Sequence, residues 1–317
     1  MEQKTLRLGA VMVIAATVIR LVSSGFFSSA MKSLIKPETA CVLMFLETGR
    51  VVRPQTPTLQ TEPEVTQPPK AAATFSEADA ALVQVNSVCG YDVDLETMLT
   101  APLSLSLAAS EPTVLIVHSH GTESYTQTES YRESSPYRTL EEDYNVVSVG
   151  AHLAQILEEN GVQVIHDKTM HDHPSYSDAY GNSRQAIAHY LAEYPSIQLV
   201  LDIHRDSVES ADGSQLRYTA QVPQGTAARV MMVVGTDAGG LSHPTWQENM
   251  ALAVKLHAQL EKNAPGITRP ISFRSQRFNQ DQSPGAMLLE IGSAGNTRQE
   301  ALLAAEITAQ AILDLSQ

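Results

Sequence analysis

The sequence predicts an α/β fold: a mainly parallel sheet flanked by helices on both faces. Three observations carry that prediction. Short apolar, β-branched-rich runs recur around Val114–Val117, Leu199–Ile203 and Ala286–Leu289, and a strand buried on both faces reads as a continuous apolar run. Helix-length segments separate those runs, and strands alternating with helices build parallel sheets. Each run also gives way to polar chemistry: HSHGTE follows the first, HRDS the second, and Glu290 sits inside the last. The carboxyl edge of such a sheet is where ligands bind.

The chain has 317 residues and a formal net charge of −14. That length holds one large domain with appendages, or two small domains. With no basic stripe to displace counterions, nucleic acid is excluded as a partner class. The two cysteines, Cys41 and Cys89, lie far apart and outside any CxxC context. They form neither a zinc knuckle nor a disulfide framework.

Taken in order, residues 1–30 predict a transmembrane anchor or signal. Lys4 and Arg7 precede an apolar stretch that Arg20 interrupts, and Ser-Ser-Ala ends it near Ala30. The two leading cations fit a positive-inside orientation that leaves the bulk of the chain outside the cytoplasm. Residues 31–52 form a juxtamembrane segment. Residues 53–77 are rich in proline and lack apolar periodicity, which predicts a semi-extended tether. Residues 78–317 form the catalytic domain, beginning with a polar, irregular stretch to Pro112.

Within that domain the first strand spans 113–118, followed by a long loop at 122–143. A helix runs from Tyr144 to Asn160 and stops at Gly161, a left-handed C′ position. A strand at 162–166, a polar loop at 171–182, a helix at 183–193, the strand to His204 and a strand at 229–235 come next. Thr245-Trp-Gln-Glu248 and Thr297-Arg-Gln-Glu300 both read as capping boxes that open helices. In the last helix Leu303, Ile307, Ala311 and Leu315 make one apolar stripe.

A zinc hydrolase needs three protein ligands, an open position for water, and a base. His120, His204 and an acidic residue supply such ligands in this pattern, with Glu290 as the base. A glutamate inside Leu-Leu-Glu-Ile-Gly is costly unless paired, protonated or metal-bound. Side-chain alternation puts His118 and His120 on one side if the extended conformation persists. His171 and His173 read as surface or substrate-contacting groups, and His152, His166, His189, His243 and His257 as structural or solvated. Ser119 and Ser207 lie in no G-x-S-x-G elbow, and no phosphate-binding glycine loop is present.

Several segments then match one family in order: VLIVHSHGTESY, YNVVSVGAHLAQILEENG, HDHPSYSDAYGNS, LVLDIHRDS, TWQENMALAVKLHAQL and FNQDQSPGAMLLEIGSAGNT. Over roughly residues 80–317 the chain resembles the stage II sporulation protein P family, which is similar in turn to zinc-dependent N-acetylmuramoyl-L-alanine amidases. The resemblance implies a membrane-anchored, extracytoplasmic peptidoglycan hydrolase in the septal space between forespore and mother cell. It would act as an amidase with accompanying endopeptidase activity, in engulfment during endospore formation. Stage II sporulation proteins D and M are the implied partners. It implies zinc held by His120, His204 and an intervening acid, with Glu290 catalytic. Helix position favours Glu141, four residues before Asn145, as that acid; Glu123 is its rival. Arg205 and Asp206 would bind the stem peptide or orient the site. The alternative is a catalytically degenerate, membrane-anchored scaffold that binds the cell wall, and a zinc carboxypeptidase is a third possibility.

Overall fold

The computed structural model describes residues 72–126 and 137–316. The expected anchor, the juxtamembrane segment, Cys41 and the tether up to residue 71 lie outside the described residues. No helix among the described residues is long and apolar enough to cross a membrane.

Seven strands form one sheet: β1 (Val85–Ser87), β2 (Val114–Val117), β3 (Val164–His166), β4 (Leu199–Asp206), β7 (Val230–Val234), β8 (Ile271–Phe273) and β9 (Ala286–Ser293). Two more, β5 (Thr219–Val222) and β6 (Gly225–Ala228), pair as a separate antiparallel hairpin. The order in the sheet is β1-β8-β7-β9-β4-β2-β3. Every neighbouring pair is parallel except β7 with β9. The fold is therefore mixed α/β with a mostly parallel sheet, and β2, β4 and β9 lie side by side at its centre, running the same way.

Those central strands are where the apolar runs predicted them. All four residues of β2 are buried, as are the first seven of β4. Burying both faces of a strand stabilises by roughly 25 cal/mol per Å² of apolar surface removed from water, so such strands occupy the middle of the sheet. The β1 and β8 strands are only three residues each. They extend the far edge, and β1 falls in the stretch expected to be irregular.

Among the described residues five helices cover the sheet: α1 (Leu95–Thr100), α2 (Val146–Glu159), α3 (Ala179–Glu193), α4 (Trp246–Asn263) and α5 (Arg298–Leu315). The larger core gathers residues of α1, α2, α4 and α5 with Ile116, Leu201, Ile203 and Leu289. On the other face α3 brings Ile187 onto Leu115, Val117 and Val200. Helix α2 starts at Asn145, whose side chain accepts from Val147 N at 3.0 Å. It ends before Gly161, which has φ +84, a conformation a Cβ disfavours.

Two expectations differ in detail. The extended conformation stops at Val117, and residues 119–122 turn. That turn breaks the two-residue alternation, so His118 and His120 part company. His118 packs under Gly150 of α2, where a Cβ would sit 2.6 Å from its Cε1. His120 turns toward α3, meeting Tyr180. The domain also engages earlier than residue 78: Ala73 N donates to Asp314 O at 2.8 Å.

Candidate active site at the carboxyl edge of the central strands

The registers of β4 and β9 set His204 and Glu290 opposite one another, so their side chains leave the same face of the sheet. Asp202 lies two residues before His204 and shares that face. A register shift between His204 and Asp206 marks an irregularity at this edge, the kind of local bend that re-aims side chains beside active sites. The turn after β2 brings His120 alongside, with its ring 5.5 Å from that of His204 and nearly perpendicular to it. Residues from three strand ends thus lie together at this edge of the sheet.

Each histidine has a carboxylate on one nitrogen. His204 Nε2 lies 2.9 Å from Asp202 Oδ1, at ion-pair distance but off hydrogen-bond geometry. His120 Nδ1 lies 3.8 Å from Asp172 Oδ2. Asp202 is itself fixed by Ser119, whose N and Oγ donate at 2.8 and 2.6 Å. Asp172 accepts from Thr122 and from Arg138 Nη1 at 2.9 Å. Carboxylates behind imidazoles orient the rings of metal-ligating histidines.

Glu123 is the acid at the remaining nitrogen of His204: its Oε2 lies 3.5 Å from His204 Nδ1. Arg205 and Arg138 each place a guanidinium nitrogen 3.6 Å from its Oε1. Burial acts to raise the Glu123 pKa, but Arg205, His204 and His120 outweigh it and bring it to about 2. Burial acts to lower the His204 pKa, and Asp202 and Glu123 outweigh it, so the imidazolium is favoured in the metal-free protein.

Glu290 has the opposite fate. Its Oε2 is buried with no hydrogen-bond partner. Burial, opposed by His204 and reinforced by Glu123 and Asp206, pushes its carboxyl up to about 8. Two neighbouring carboxyls driven apart in pKa mark an acid–base site.

The remaining predicted residues divide. Glu141 is exposed, at the head of a one-turn 3₁₀ helix (Glu142–Tyr144). Among the described residues its side chain makes no contact with His120 or His204. Of the two acids weighed for the third position, Glu123 is the one beside His204. Arg205 is buried, donating through Nε to Ser124 O at 2.8 Å and through Nη2 to Tyr137 O at 2.6 Å. Asp206 pairs with Arg269 at 2.7 Å. Both are engaged inside the fold. His171 is buried against Asp167 at 3.2 Å, a correction to the surface reading, while His173 is exposed. His118 is buried between the Ile203 carbonyl, 3.0 Å from its Nδ1, and His166 Nε2, 2.9 Å from its Nε2. Burial pulls the His118 pKa down to about 4.

Sequence reasoning missed Asp202, Asp172, Arg138 and two tyrosines. Asp202 carried a signal, because it interrupts an apolar run two residues before a histidine. Tyr176 stacks on His120 at 4.3 Å, with Arg138 4.4 Å from the centre of the same tyrosine ring. Tyr180 meets His120 edge-on at 5.4 Å. No spacing rule links either tyrosine to residue 120.

The donor types fit zinc: two imidazoles and a carboxylate, each imidazole backed by an acid. The 3.5 Å between His204 Nδ1, the nitrogen turned away from Asp202, and Glu123 Oε2 is close to the ~3.4 Å that separates two ligands about 2.0–2.1 Å from one tetrahedral ion. Among the described residues, however, no group of three or more His, Cys, Asp or Glu is arranged so that it could hold a metal ion.

A family model described as Stage II sporulation protein P (SpoIIP) matches residues 49–313. "Stage II sporulation protein P" of Bacillus subtilis (strain 168) is 30% identical over 213 residues, which is 64% of this chain and 50% of that protein. The chain thus spans about half the length of the curated relative it matches. Among solved structures, N-acetylmuramoyl-L-alanine amidase AmiC2 of Nostoc punctiforme is 14% identical with a TM-score of 0.39, covering 63% of this chain and 95% of that one. The N-acetylmuramoyl-L-alanine amidase from Clostridium difficile 630 is 12% identical with a TM-score of 0.36, covering 64% and 94%. The catalytic domain of CwlV, an N-acetylmuramoyl-L-alanine amidase from Bacillus (Paenibacillus) polymyxa, is 14% identical with a TM-score of 0.34, covering 64% and 94%.

Proposed function

For a chain that belongs to the stage II sporulation protein P family, we propose a cell-wall hydrolase: a zinc-dependent N-acetylmuramoyl-L-alanine amidase that cuts the amide joining muramic acid to the stem peptide. The observation that carries this reading is the pairing of His204 with Glu290 across adjacent strands, beside His120 and Glu123. His120, His204 and Glu123 would hold the ion, with Glu123 taking the place first assigned to Glu141. When bound, zinc polarises the amide carbonyl and acidifies the attacking water.

The protein's own groups do the rest. Asp172 and Asp202 fix the two imidazoles. Glu290, with its carboxyl near 8, exists in both protonation states close to neutral pH. It accepts the proton of the attacking water and returns it to the leaving amine, the two tasks of one general base and acid. Action outside the cytoplasm from an N-terminal membrane anchor, cleavage of further stem-peptide bonds, and cooperation with stage II sporulation proteins D and M during engulfment belong to the same proposal.

The purified chain tests it through metal content and release of stem peptide from peptidoglycan. His120→Ala and His204→Ala lose zinc. Glu290→Gln keeps zinc and loses activity by on the order of 10²-fold or more. Wild-type hydrolysis after either histidine is replaced ends this reading. One observation favours a wall-binding scaffold instead: Glu123 is already engaged by two guanidiniums. A zinc-free chain that binds peptidoglycan and releases nothing would identify that scaffold.

A further inference from the structure

Tyr180 stands in the crevice, yet neither ion binding nor the proton shuttle uses it. Its ring lies edge-on to His120 at 5.4 Å and nearly parallel to His204 at 6.4 Å. Two neighbours in unusual conformations hold it there. Phe278 (φ +50) packs against the ring at 5.9 Å. Asn279 (φ +58) donates through Nδ2 to the Tyr180 carbonyl at 2.9 Å. A bulky aromatic at positive φ is uncommon, and such strain persists where surrounding structure over-determines it, often at active sites. Ser183 Oγ also approaches the same carbonyl, at 3.4 Å. The backbone carbonyl and the ring of the tyrosine are thus held in place, and the bonds that hold them leave its hydroxyl unused. An O–H donor that the fold does not use, on a ring packed against two candidate ion ligands, can donate to a bound ligand.

We propose that Tyr180 is a further catalytic residue, whose hydroxyl donates a hydrogen bond to the carbonyl oxygen of the scissile amide as that oxygen gains charge. The role rests on the hydrolase reading. Attack forms a bond between the water oxygen and the carbonyl carbon, moves the carbonyl π pair onto oxygen, and passes one water proton to Glu290. Collapse re-forms C=O, breaks the C–N bond, and returns that proton from Glu290 to the amine. The phenol keeps its own proton throughout and contributes only a hydrogen bond, strongest when the oxygen is fully charged.

Steady-state kinetics on a soluble N-acetylmuramoyl-peptide, using the full chain, test this. Tyr180→Phe keeps the ring and removes only the hydroxyl. The expected result is a kcat lower by roughly 10²-fold, with KM, zinc content and Tm unchanged. Wild-type kcat in Tyr180→Phe, or a raised KM with kcat intact, overturns the proposal and leaves the hydrolase reading standing. Glu290→Gln is measured in parallel. If the wild type yields no product, or if Glu290→Gln turns over normally, the hydrolase reading fails and the tyrosine's role falls with it.

Discussion

Glu290 and Glu123 are carboxyls of one crevice, and the protein treats them in opposite ways. Glu123 has two guanidiniums and an imidazole to stabilise its charge. Glu290 has a buried Oε2 without a hydrogen bond. The consequence for stability has a definite sign. The Glu290 carboxyl is raised from 4.5 to about 8 in the folded protein. Between those values the folded state holds a proton that the unfolded state has released, so stability falls as pH rises and the full penalty is present above about 8. Glu290→Gln removes the penalty. In chelator-treated protein, Glu290→Gln should therefore gain stability relative to wild type on going from pH 5 to pH 9, by on the order of 2–4 kcal/mol. Thermal unfolding of both proteins across that range checks it. A difference between them that does not change with pH would show that the carboxyl ionises freely in the crevice.

At the scale of elements, two identical sequence signals lead to different structures. Thr297 and Thr245 each stand three residues before a glutamate. At α5 the box forms: Thr297 accepts from Glu300 N at 3.3 Å, and the Glu300 carboxylate accepts from Thr297 N at 3.2 Å. At α4 it does not: Thr245 has φ −105 and ψ 15 and makes no side-chain cap bond. Its Oγ1 is buried without a partner. Thr297→Ala should accordingly cost about 1 kcal/mol, and Thr245→Val should cost less, since no cap is lost. Equal losses in chemical denaturation would contradict the difference in cap geometry. The same contrast explains what was legible in the sequence. The central strands and long helices announce themselves because burial on both faces demands apolar runs. The three-residue edge strands β1 and β8 and the β5–β6 hairpin follow no long pattern. His120, His204 and Glu290 were legible as polar breaks in apolar strands. Between Glu141 and Glu123 the sequence left the third acid open, because a turn, rather than strand or helix periodicity, carries Glu123 beside His204.

At the scale of the whole molecule, the amino-terminal entry to the domain sits at the sheet edge opposite the site. Helix α5 leaves the carboxyl end of β9 and runs back, so its last turn lies toward the amino edge of that strand. There Ala73 N donates to Asp314 O at 2.8 Å. Phe75 lies beneath Lys262 Nζ at 4.6 Å and Lys255 Nζ at 5.6 Å, and Asp79 pairs with Lys262 at 3.0 Å. Residues 73–79 therefore bridge α4 and α5, the two helices that cover much of the larger core. The prolines end at Pro69, and the aperiodic stretch that follows to residue 77 does not mark that the chain is already packed, since single contacts such as that of Phe75 leave no periodic trace. A chain beginning at residue 72 keeps the bridge, and one beginning at residue 78 loses Phe75 and the Ala73 bond. Partial burial of one aromatic and one backbone hydrogen bond together contribute roughly 1–3 kcal/mol, which at about 2–4 °C per kcal/mol for a domain of this size predicts a fall in Tm of several degrees. Because the clamp lies far from His120, His204 and Glu290, turnover per folded molecule should be the same in both truncations at temperatures well below either Tm. Equal Tm values for the two chains would show that residues 72–77 rest on the domain without helping to hold it, and a loss of turnover without a loss of Tm would mean that the two edges of the sheet are coupled.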